Sequence, residues 1–152
     1  MAHKIAVRNA REQDIDTLVR FNIAMAQETE DKILSPVKVR AGMRAVIRHP
    51  DHGFYLVAEL EGQIAGSLLV TREWSDWRDG VFWWIQSVYV PPEFRKRGIY
   101  RALYDAVKAL AKSSPEVCGF RLYVEKNNRA ARSVYSKLGM SETEYRIYEE
   151  IL

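Results

Sequence analysis

The residues with the clearest capacity for chemistry form one short basic segment, Arg95-Lys96-Arg97-Gly98-Ile99-Tyr100-Arg101. A strand pattern precedes this segment and a helix pattern continues from it, so it lies at a strand-to-helix connection. The start of a helix offers unpaired backbone N–H groups and the positive end of the helix dipole, which together suit a phosphate. Gly98 has no Cβ and lets the backbone approach an anion closely. The segment is a candidate phosphate site, although a solvated basic turn fits these residues equally well.

The positive charge of the chain is concentrated in this segment. The 152 residues include 23 Lys and Arg against 20 Asp and Glu, and the four cations Arg95, Lys96, Arg97 and Arg101 account for the whole excess. A point cluster favours one bound anion, whereas duplex nucleic acid requires a broad basic face. We therefore expect a small anionic ligand and no nucleic-acid partner.

The composition excludes several other classes of protein. With 47% hydrophobic residues the chain is too apolar to be disordered, and its length suits one domain over residues 1–152. No apolar run approaches the roughly 20 residues of a membrane span, and residues 1–5 have no signal-peptide character. We therefore expect a cytoplasmic protein without membrane contact.

Cysteine and histidine offer little chemistry. The single cysteine, Cys118, excludes a disulfide framework, and we expect a buried structural thiol rather than a carrier of acyl groups. His3, His49 and His52 lack metal-ligand spacing, so no metal site is expected.

Hydrophobic periodicity predicts the elements that position the basic segment. The predicted strands are 4–8, Phe54–Leu60, Gln63–Thr71, Val81–Val90, Phe120–Val124 and a last strand within Met140–Leu152. The predicted helices are Ile15–Met25, one from Ser35-Pro36 to Pro50, one from Ile99 to Lys112, and one capped by Asn128 and ended by Gly139. Glu61-Gly62 predicts a tight hairpin turn. The order β-α-α-β-β-β-α-β-α-β indicates an α/β (α+β) fold, a mixed sheet with helices on its faces.

One motif resembles the acetyl-CoA-binding signature of the GCN5-related N-acetyltransferase (GNAT) superfamily, Arg/Gln-x-x-Gly-x-Gly/Ala. It lies in Val88–Ile99 and the residue that follows, with Arg95 and Gly98 at the first two fixed positions. Tyr100 stands where the family has Gly or Ala. The backbone N–H survives that change, but the ring must point away from the phosphates or occupy their space.

A second motif is similar to another signature of the same family, Asn-x-x-Ala-x-x-x-Tyr-x-x-x-Gly-Phe. It covers Asn128–Met140, with Met140 in place of the final Phe. The order of elements agrees with the family over nearly the whole chain. The resemblance implies a mostly antiparallel, twisted sheet flanked by helices, and an acetyl-CoA-dependent N-acetyltransferase that uses no metal.

The resemblance also implies which residues bind acetyl-CoA. Backbone groups of the strand that ends at Val90 would pair with the pantetheine arm, and the N–H groups of the basic segment would cradle the pyrophosphate. Asn128 would contact the pantetheine arm, serve as a helix cap, or do both. The implied set is Val88, Tyr89, Val90, Arg95, Lys96, Arg97, Gly98, Ile99, Tyr100, Arg101, Asn128, Ala131 and Tyr135.

Catalytic roles follow from the same resemblance. Tyr135 is at the position of the proton donor to the CoA sulfur, although a helical core tyrosine fits its spacing too, and an N–H near Val88 would stabilise the oxyanion. Gln86 lies where many relatives carry a glutamate base, and it can orient water but cannot accept its proton. Glu28, Glu30 and Asp76 are the acidic alternatives, or else solvated surface carboxylates. An amine that is partly deprotonated in solution would need no base.

The acceptor side is indicated by four tryptophans within eleven residues, Trp74, Trp77, Trp83 and Trp84. One set can pack in the core or at a dimer contact, and the other can hold a cationic amine over its rings. By resemblance the segment Ile23–Lys32 would be the facing wall, and its acids favour a positively charged acceptor. The candidates are Glu30, Trp74, Trp77 and Trp84, for a primary amine on a small molecule or peptide.

Two function classes stay open at this point. The chain is either an N-acetyltransferase, or a module that uses the same fold to hold CoA or a protein partner without turnover. A homodimer is possible in both cases.

Overall fold

A five-stranded sheet forms the centre of the molecule. The computed structural model describes residues 3–152. The strands are β1 (Ala6–Asn9), β2 (Phe54–Leu60), β3 (Gln63–Ser75), β4 (Gly80–Tyr89) and β5 (Val117–Arg121), and the helices are α1 (Ile15–Glu30), α2 (Pro36–Arg48), α3 (Ile99–Lys112) and α4 (Arg129–Lys137). The strands lie in the order β1-β2-β3-β4-β5, with antiparallel neighbours except for the parallel pair β4–β5. This confirms the predicted fold class, a mixed and mostly antiparallel sheet flanked by helices.

Local signals in the sequence account for the element ends. Glu61 and Gly62 both have positive φ angles, 53° and 76°, as a two-residue hairpin between β2 and β3 requires. The Ser35 hydroxyl accepts a 3.4 Å hydrogen bond from the Lys38 N–H, and Pro36 occupies the first turn of α2. The hairpin turn and the start of α2 are therefore where the sequence predicts them.

Two apolar clusters cover the two faces of the sheet. On one face α3 packs through Leu103 and Val107 against sheet residues such as Leu68 and Ile85. On the other face α1 and α2 pack against β2, in a cluster that includes Leu18, Met43, Tyr55 and Val57. No helix in residues 3–152 is long and apolar enough to cross a membrane.

The C-terminal part differs from the sequence prediction. The strand expected within Met140–Leu152 does not form, because alternating side chains make a strand only where a neighbouring strand supplies the ladder. The strand expected at Phe120–Val124 is shifted to Val117–Arg121, since its pairing with β4 ends at Arg121. The prediction of a buried Cys118 is also wrong, because the residue is exposed on β5.

Candidate functional site

A wedge-shaped opening separates β4 from β5. The two strands pair from Val81 and Val117 as far as Trp84 and Arg121, and in the described chain no pairing continues beyond that point. Residues 86–89 of β4 therefore have no partner on the β5 side. The opening leaves room for an extended ligand to pair with the β4 backbone, as the resemblance implies for Val88, Tyr89 and Val90.

A β-bulge shapes β4 at this opening. Tyr89 pairs with Ser67 and Gln86 with Leu69, so β4 contains one more residue than β3 between the two pairs. Ser87, within the bulge, has a φ of 50°, an unusual value for a residue other than glycine. Bulges re-aim the backbone and are frequent next to active sites. This one changes the direction of the backbone beside Val88.

The basic segment forms a tight loop that leads into α3. Lys96 and Gly98 have φ angles of 60° and 80°. The first hydrogen bond of α3 runs from the Ala102 N–H to the Gly98 carbonyl at 3.0 Å, and no group in residues 3–152 accepts from the N–H groups of residues 99–101. An added Cβ at Gly98 would find its nearest neighbour 3.9 Å away, so the positive φ explains the glycine better than crowding does. The loop presents free donors at a helix start, which suits an anion.

The four cations of the segment are not equivalent. Arg95 pairs with Glu28 at 2.7 Å and donates from Nε to the Val90 carbonyl at 2.9 Å. Arg101 pairs with Asp105 at 3.3 Å along α3. Lys96 and Arg97 form no ion pair within residues 3–152. These two side chains are therefore the ones available to a phosphate.

Tyr100 and Tyr135 meet beside the start of α3. Their ring centroids are 5.8 Å apart in an edge-to-face arrangement, and Tyr100 also stacks on Tyr104 at 6.1 Å. The Tyr100 ring packs with the sheet cluster on the α3 side, so it does not cover the free N–H groups of the loop. Its buried hydroxyl has no hydrogen-bond partner within residues 3–152. Burial raises the pKa of Tyr135, which keeps its phenol protonated over the physiological range.

Asn128 acts as a helix cap. Its side-chain oxygen accepts a hydrogen bond from the Ala131 N–H at 3.1 Å at the start of α4. The side-chain NH2 group has no hydrogen-bond partner among the described residues and can donate to a ligand. The geometry therefore accommodates both roles considered from the sequence.

The candidate bases are engaged with neighbouring groups. Glu28 accepts hydrogen bonds from the Tyr89 hydroxyl at 2.9 Å and from Arg95. Burial by itself raises the pKa of Glu28, but the hydrogen bonds from Arg95 and Tyr89 outweigh it and hold that pKa below its usual range. Gln86 donates from its side-chain amide to the Thr71 hydroxyl. Neither side chain is a strong proton acceptor in this arrangement.

An open cleft of about 590 Å³ lies between the end of α1 and the segment after β5. Its lining includes four carboxylates and one lysine; the residues are Gln27, Glu28, Thr29, Glu30, Asp31, Lys32, Glu125 and Asn127. The Lys32 ammonium is 3.3 Å from Glu30 and offsets part of the charge. The cleft therefore carries a net negative charge, which suits a cationic group.

The tryptophans separate into three environments. Trp83 packs in the core against Phe54, whereas Trp84 lies on the other face of β4, half-buried, 5.8 Å from the Tyr123 ring. Trp74 and Trp77 stand at the tip of the β3–β4 hairpin, 61% and 85% exposed. Of the four acceptor candidates, Glu30 lines the acidic cleft, whereas Trp74, Trp77 and Trp84 do not.

Sequence reasoning identified Glu28 and Glu30 on the cleft but missed the residues across from them. Glu125 and Asn127 line the cleft, and Tyr123, which contacts Trp84 and does not line the cleft, precedes them at the same interval of two residues after β5. That spacing places them on one side of an extended segment, and it was the available signal. No group of three or more His, Cys, Asp or Glu side chains among the described residues is arranged to hold a metal ion.

Comparison with known proteins identifies the family. The family model described as the acetyltransferase (GNAT) family matches residues 20–140, which is most of the chain. The chain belongs to the GNAT acetyltransferase family. The predicted resemblance is confirmed, and the opening between β4 and β5, the bulge and the basic loop lie within the matched region of this GNAT chain.

Solved structures agree with the assignment. A possible acetyltransferase from Clostridium difficile 630 is 39% identical, with 97% of each chain covered and a TM-score of 0.90. A protein from Clostridium acetobutylicum described as a predicted acetyltransferase, solved with acetyl-CoA, is 20% identical, with 97% of this chain and 96% of that chain covered and a TM-score of 0.78. The enzyme AAC(6')-Iy, solved with a bisubstrate analogue of CoA and acetylneamine, is 16% identical, with 98% and 99% covered and a TM-score of 0.79. The last two show a shared fold. No curated protein matched the chain in the sequence comparison.

Proposed function

We propose that this GNAT protein transfers an acetyl group from acetyl-CoA directly to a primary amine. The observation that supports this most is the combination of an open β4–β5 wedge with a loop of free N–H groups at its end. An acyl-CoA has an extended arm that can pair with a strand and a pyrophosphate that suits a helix start. The side chains of Lys96 and Arg97, free of carboxylate partners, would meet the phosphate charges.

We assign the remaining chemistry to the β4 bulge and to Tyr135. Acetyl-CoA, when bound, supplies the activated acetyl group. A backbone N–H at the Ser87–Val88 bulge would donate to the developing oxyanion. Tyr135, kept protonated by its raised pKa, would give a proton to the departing thiolate.

The acceptor we propose is a cationic amine, on a small molecule or on a peptide N-terminus or lysine. The carboxylates of Glu28, Glu30, Asp31 and Glu125 attract a second positive charge on the acceptor. Trp84 and Tyr123 add aromatic surface over which a cation can lie. Because Glu28 is held by Arg95 and Tyr89, the acceptor would react through its small neutral fraction rather than through a strong base on the protein.

Two measurements test the proposal in sequence. Calorimetry should show acetyl-CoA binding, and absence of binding would overturn the proposal. Thiol release should then be faster with diamines and lysine peptides than with neutral amines. The protein alone must be the blank, because Cys118 is exposed and reacts with thiol reagents.

A variant pair isolates the acidic cleft. Glu125→Gln should raise KM for a diamine several-fold and leave acetyl-CoA affinity unchanged. The matched control is Glu116→Gln, an exposed carboxylate just before β5 that does not line the cleft, and it should change neither. Binding of acetyl-CoA with no turnover on any amine would favour the non-catalytic module instead.

A further inference from the structure

One ion pair joins the two parts of the candidate site. Arg95, the first residue of the basic loop at residues 95–101, donates from its guanidinium to Glu28 at 2.7 Å. Glu28 lies near the end of α1 and lines the acidic cleft. The contact therefore links the loop proposed to hold the cofactor to the cleft proposed to hold the acceptor.

Two further contacts fix the same pair. The Arg95 Nε donates to the Val90 carbonyl at 2.9 Å, and the guanidinium lies 5.8 Å from the centre of the Tyr89 ring. The Tyr89 hydroxyl in turn donates to Glu28 at 2.9 Å. Tyr89 is buried and packs on Phe21 of α1, with 5.2 Å between the ring centroids. Arg95 is therefore tied to the end of β4 and to α1 at the same time.

The rest of the loop has few contacts that could hold it in place. Residues 95–98 are all exposed, and Lys96 has a φ of 60°, an unusual value for a residue other than glycine. A strained conformation of this kind persists only where the surrounding structure imposes it. The Arg97 guanidinium lies over the Phe94 ring, which belongs to the turn just before the loop. Among the described residues, Arg95 is the side chain that ties residues 95–98 to β4 and α1.

We propose that Glu28 positions the cofactor loop through Arg95, so that a residue of the acceptor cleft sets the affinity for acetyl-CoA. This inference rests on the proposed function, because it takes acetyl-CoA as the ligand of the loop. The N–H groups of residues 99–101 bind one pyrophosphate together only when the loop points them at it. A loop held in that conformation before binding avoids the entropic cost of ordering it. Glu28 acts here as a positioning residue and not as a base.

The sign of the effect separates positioning from simple electrostatics. The phosphates of acetyl-CoA are negative, so removal of the Glu28 carboxylate would by charge alone strengthen binding. If Arg95 were a direct phosphate ligand, removal of Glu28 would also strengthen binding, because the freed guanidinium could turn to the phosphates. The positioning role predicts the opposite, since loss of the carboxylate loosens the loop. Weaker binding by Glu28→Gln is therefore the decisive result.

The first experiment measures acetyl-CoA affinity by calorimetry. Glu28→Gln should raise the Kd about fivefold, the change that corresponds to one partly exposed ion pair. Arg95→Gln should weaken binding at least as much, and in that background Glu28→Gln should weaken it no further, because the contact is already absent. The matched control is Asp16→Asn, which removes a carboxylate of the same helix that pairs with Arg40 of α2, and its Kd should equal that of wild type. A Kd for Glu28→Gln equal to or below that of wild type would overturn the proposal.

The second experiment measures how firmly the loop is held when no ligand is present. Trypsin cleaves after Lys and Arg, and both Lys96 and Arg97 are exposed. Glu28→Gln should be cleaved after these two residues several times faster than wild type or Asp16→Asn, because cleavage requires the loop to leave its held conformation. Mass spectrometry of the fragments identifies the site of the cut. Equal cleavage rates in the three proteins would contradict the positioning role.

The two measurements distinguish failure of this inference from failure of the proposed function. If wild type does not bind acetyl-CoA, the proposed function is wrong, and faster cleavage of Glu28→Gln still supports the hold of Glu28 on the loop. If wild type binds acetyl-CoA and Glu28→Gln matches it in both affinity and cleavage, the proposed function stands and the positioning role is wrong.

Discussion

At the scale of single residues, Tyr135 matches a family signature, whereas its neighbour Tyr100 differs from one. Their rings are 5.8 Å apart, yet the two residues differ in how they relate to the family signatures. Tyr135 belongs to the second signature, and burial raises its pKa and keeps the phenol protonated. Tyr100 replaces the small residue of the first signature, and its buried hydroxyl has no hydrogen-bond partner in the part of the chain that the structure describes.

Tyr135→Phe should reduce kcat by about 100-fold, the lower end of what a positioned general acid contributes. Acetyl-CoA affinity should change by less than threefold, because the ring and its contacts remain. Tyr104→Phe is the control, since it removes a phenol from the same aromatic cluster outside the site, and its kcat should be near wild type. Thiol release and calorimetry give the two quantities. Equal losses of kcat and affinity would contradict the acid role.

Tyr100→Phe should stabilise the protein. A buried hydroxyl without a partner costs on the order of 1–2 kcal/mol, and the phenylalanine ring keeps the packing against Tyr104 and Tyr135. The expected rise in Tm is about 2–6 °C for a domain of this size. Differential scanning calorimetry measures it. A lower Tm would mean that the hydroxyl has a partner after all.

At the scale of elements, two glycines differ in backbone conformation, so substitution by alanine should change stability in opposite directions. Gly98 has a φ of 80° before α3, whereas Gly42 lies in α2 with open space around it. Gly98→Ala should lower stability by about 1 kcal/mol and weaken acetyl-CoA binding, since alanine disfavours that φ and the loop must shift. Gly42→Ala should raise stability by up to about 1 kcal/mol through helix propensity, without affecting binding. Urea unfolding and calorimetry check both, and equal binding in the two variants would contradict the role given to the loop.

A second prediction at this scale concerns the junction of β1, α1 and β2. Asp14, buried at the start of α1, accepts hydrogen bonds from Arg8 at 2.7 and 3.0 Å and from the Arg11 N–H at 2.7 Å. The hydrogen bonds from Arg8 lower the pKa of Asp14, against the opposing effect of burial and with further help from Arg11. A carboxyl with a depressed pKa contributes stability above its unfolded pKa and loses it as pH falls through the folded value, so the loss should occur below about pH 4.

Asp14→Asn should therefore lower stability at pH 7 by about 2 kcal/mol, because Arg8 loses a buried, charged hydrogen-bond partner and keeps Glu59 as its remaining carboxylate. The difference from wild type should shrink as pH falls below about 4, where the wild-type carboxyl becomes protonated too. Glu12→Gln is the control: its ion pairs with Arg44 and Arg48 are exposed, and it should cost well under 1 kcal/mol. Urea unfolding at pH 7 and pH 3 gives both differences. A constant difference across this range would contradict the linkage.

Sequence reasoning worked for elements whose signals are local. The Glu61-Gly62 turn, the cap of α2 at Ser35 and the glycine before α3 all follow from one or two neighbouring residues. It could not predict the pairing of Glu28 with Arg95, which are 67 residues apart and meet only because α1 packs beside β4. The end of β5 at Arg121 also depends on a distant contact, because the pairing of β5 with β4 stops at Trp84.

At the scale of the whole molecule, the distribution of burial is uneven. Among the described residues, the buried side chains lie in the part of the chain that ends at Val107. Residues 108–152 contact this core only through partly buried side chains such as Phe120, Leu138 and Met140. The alternation in Met140–Leu152 predicts a strand that the structure does not contain, because alternation specifies the two faces of a strand but not the neighbour that must pair with it. The candidate site therefore lies where the well-buried part of the molecule meets the less buried β5 and α4.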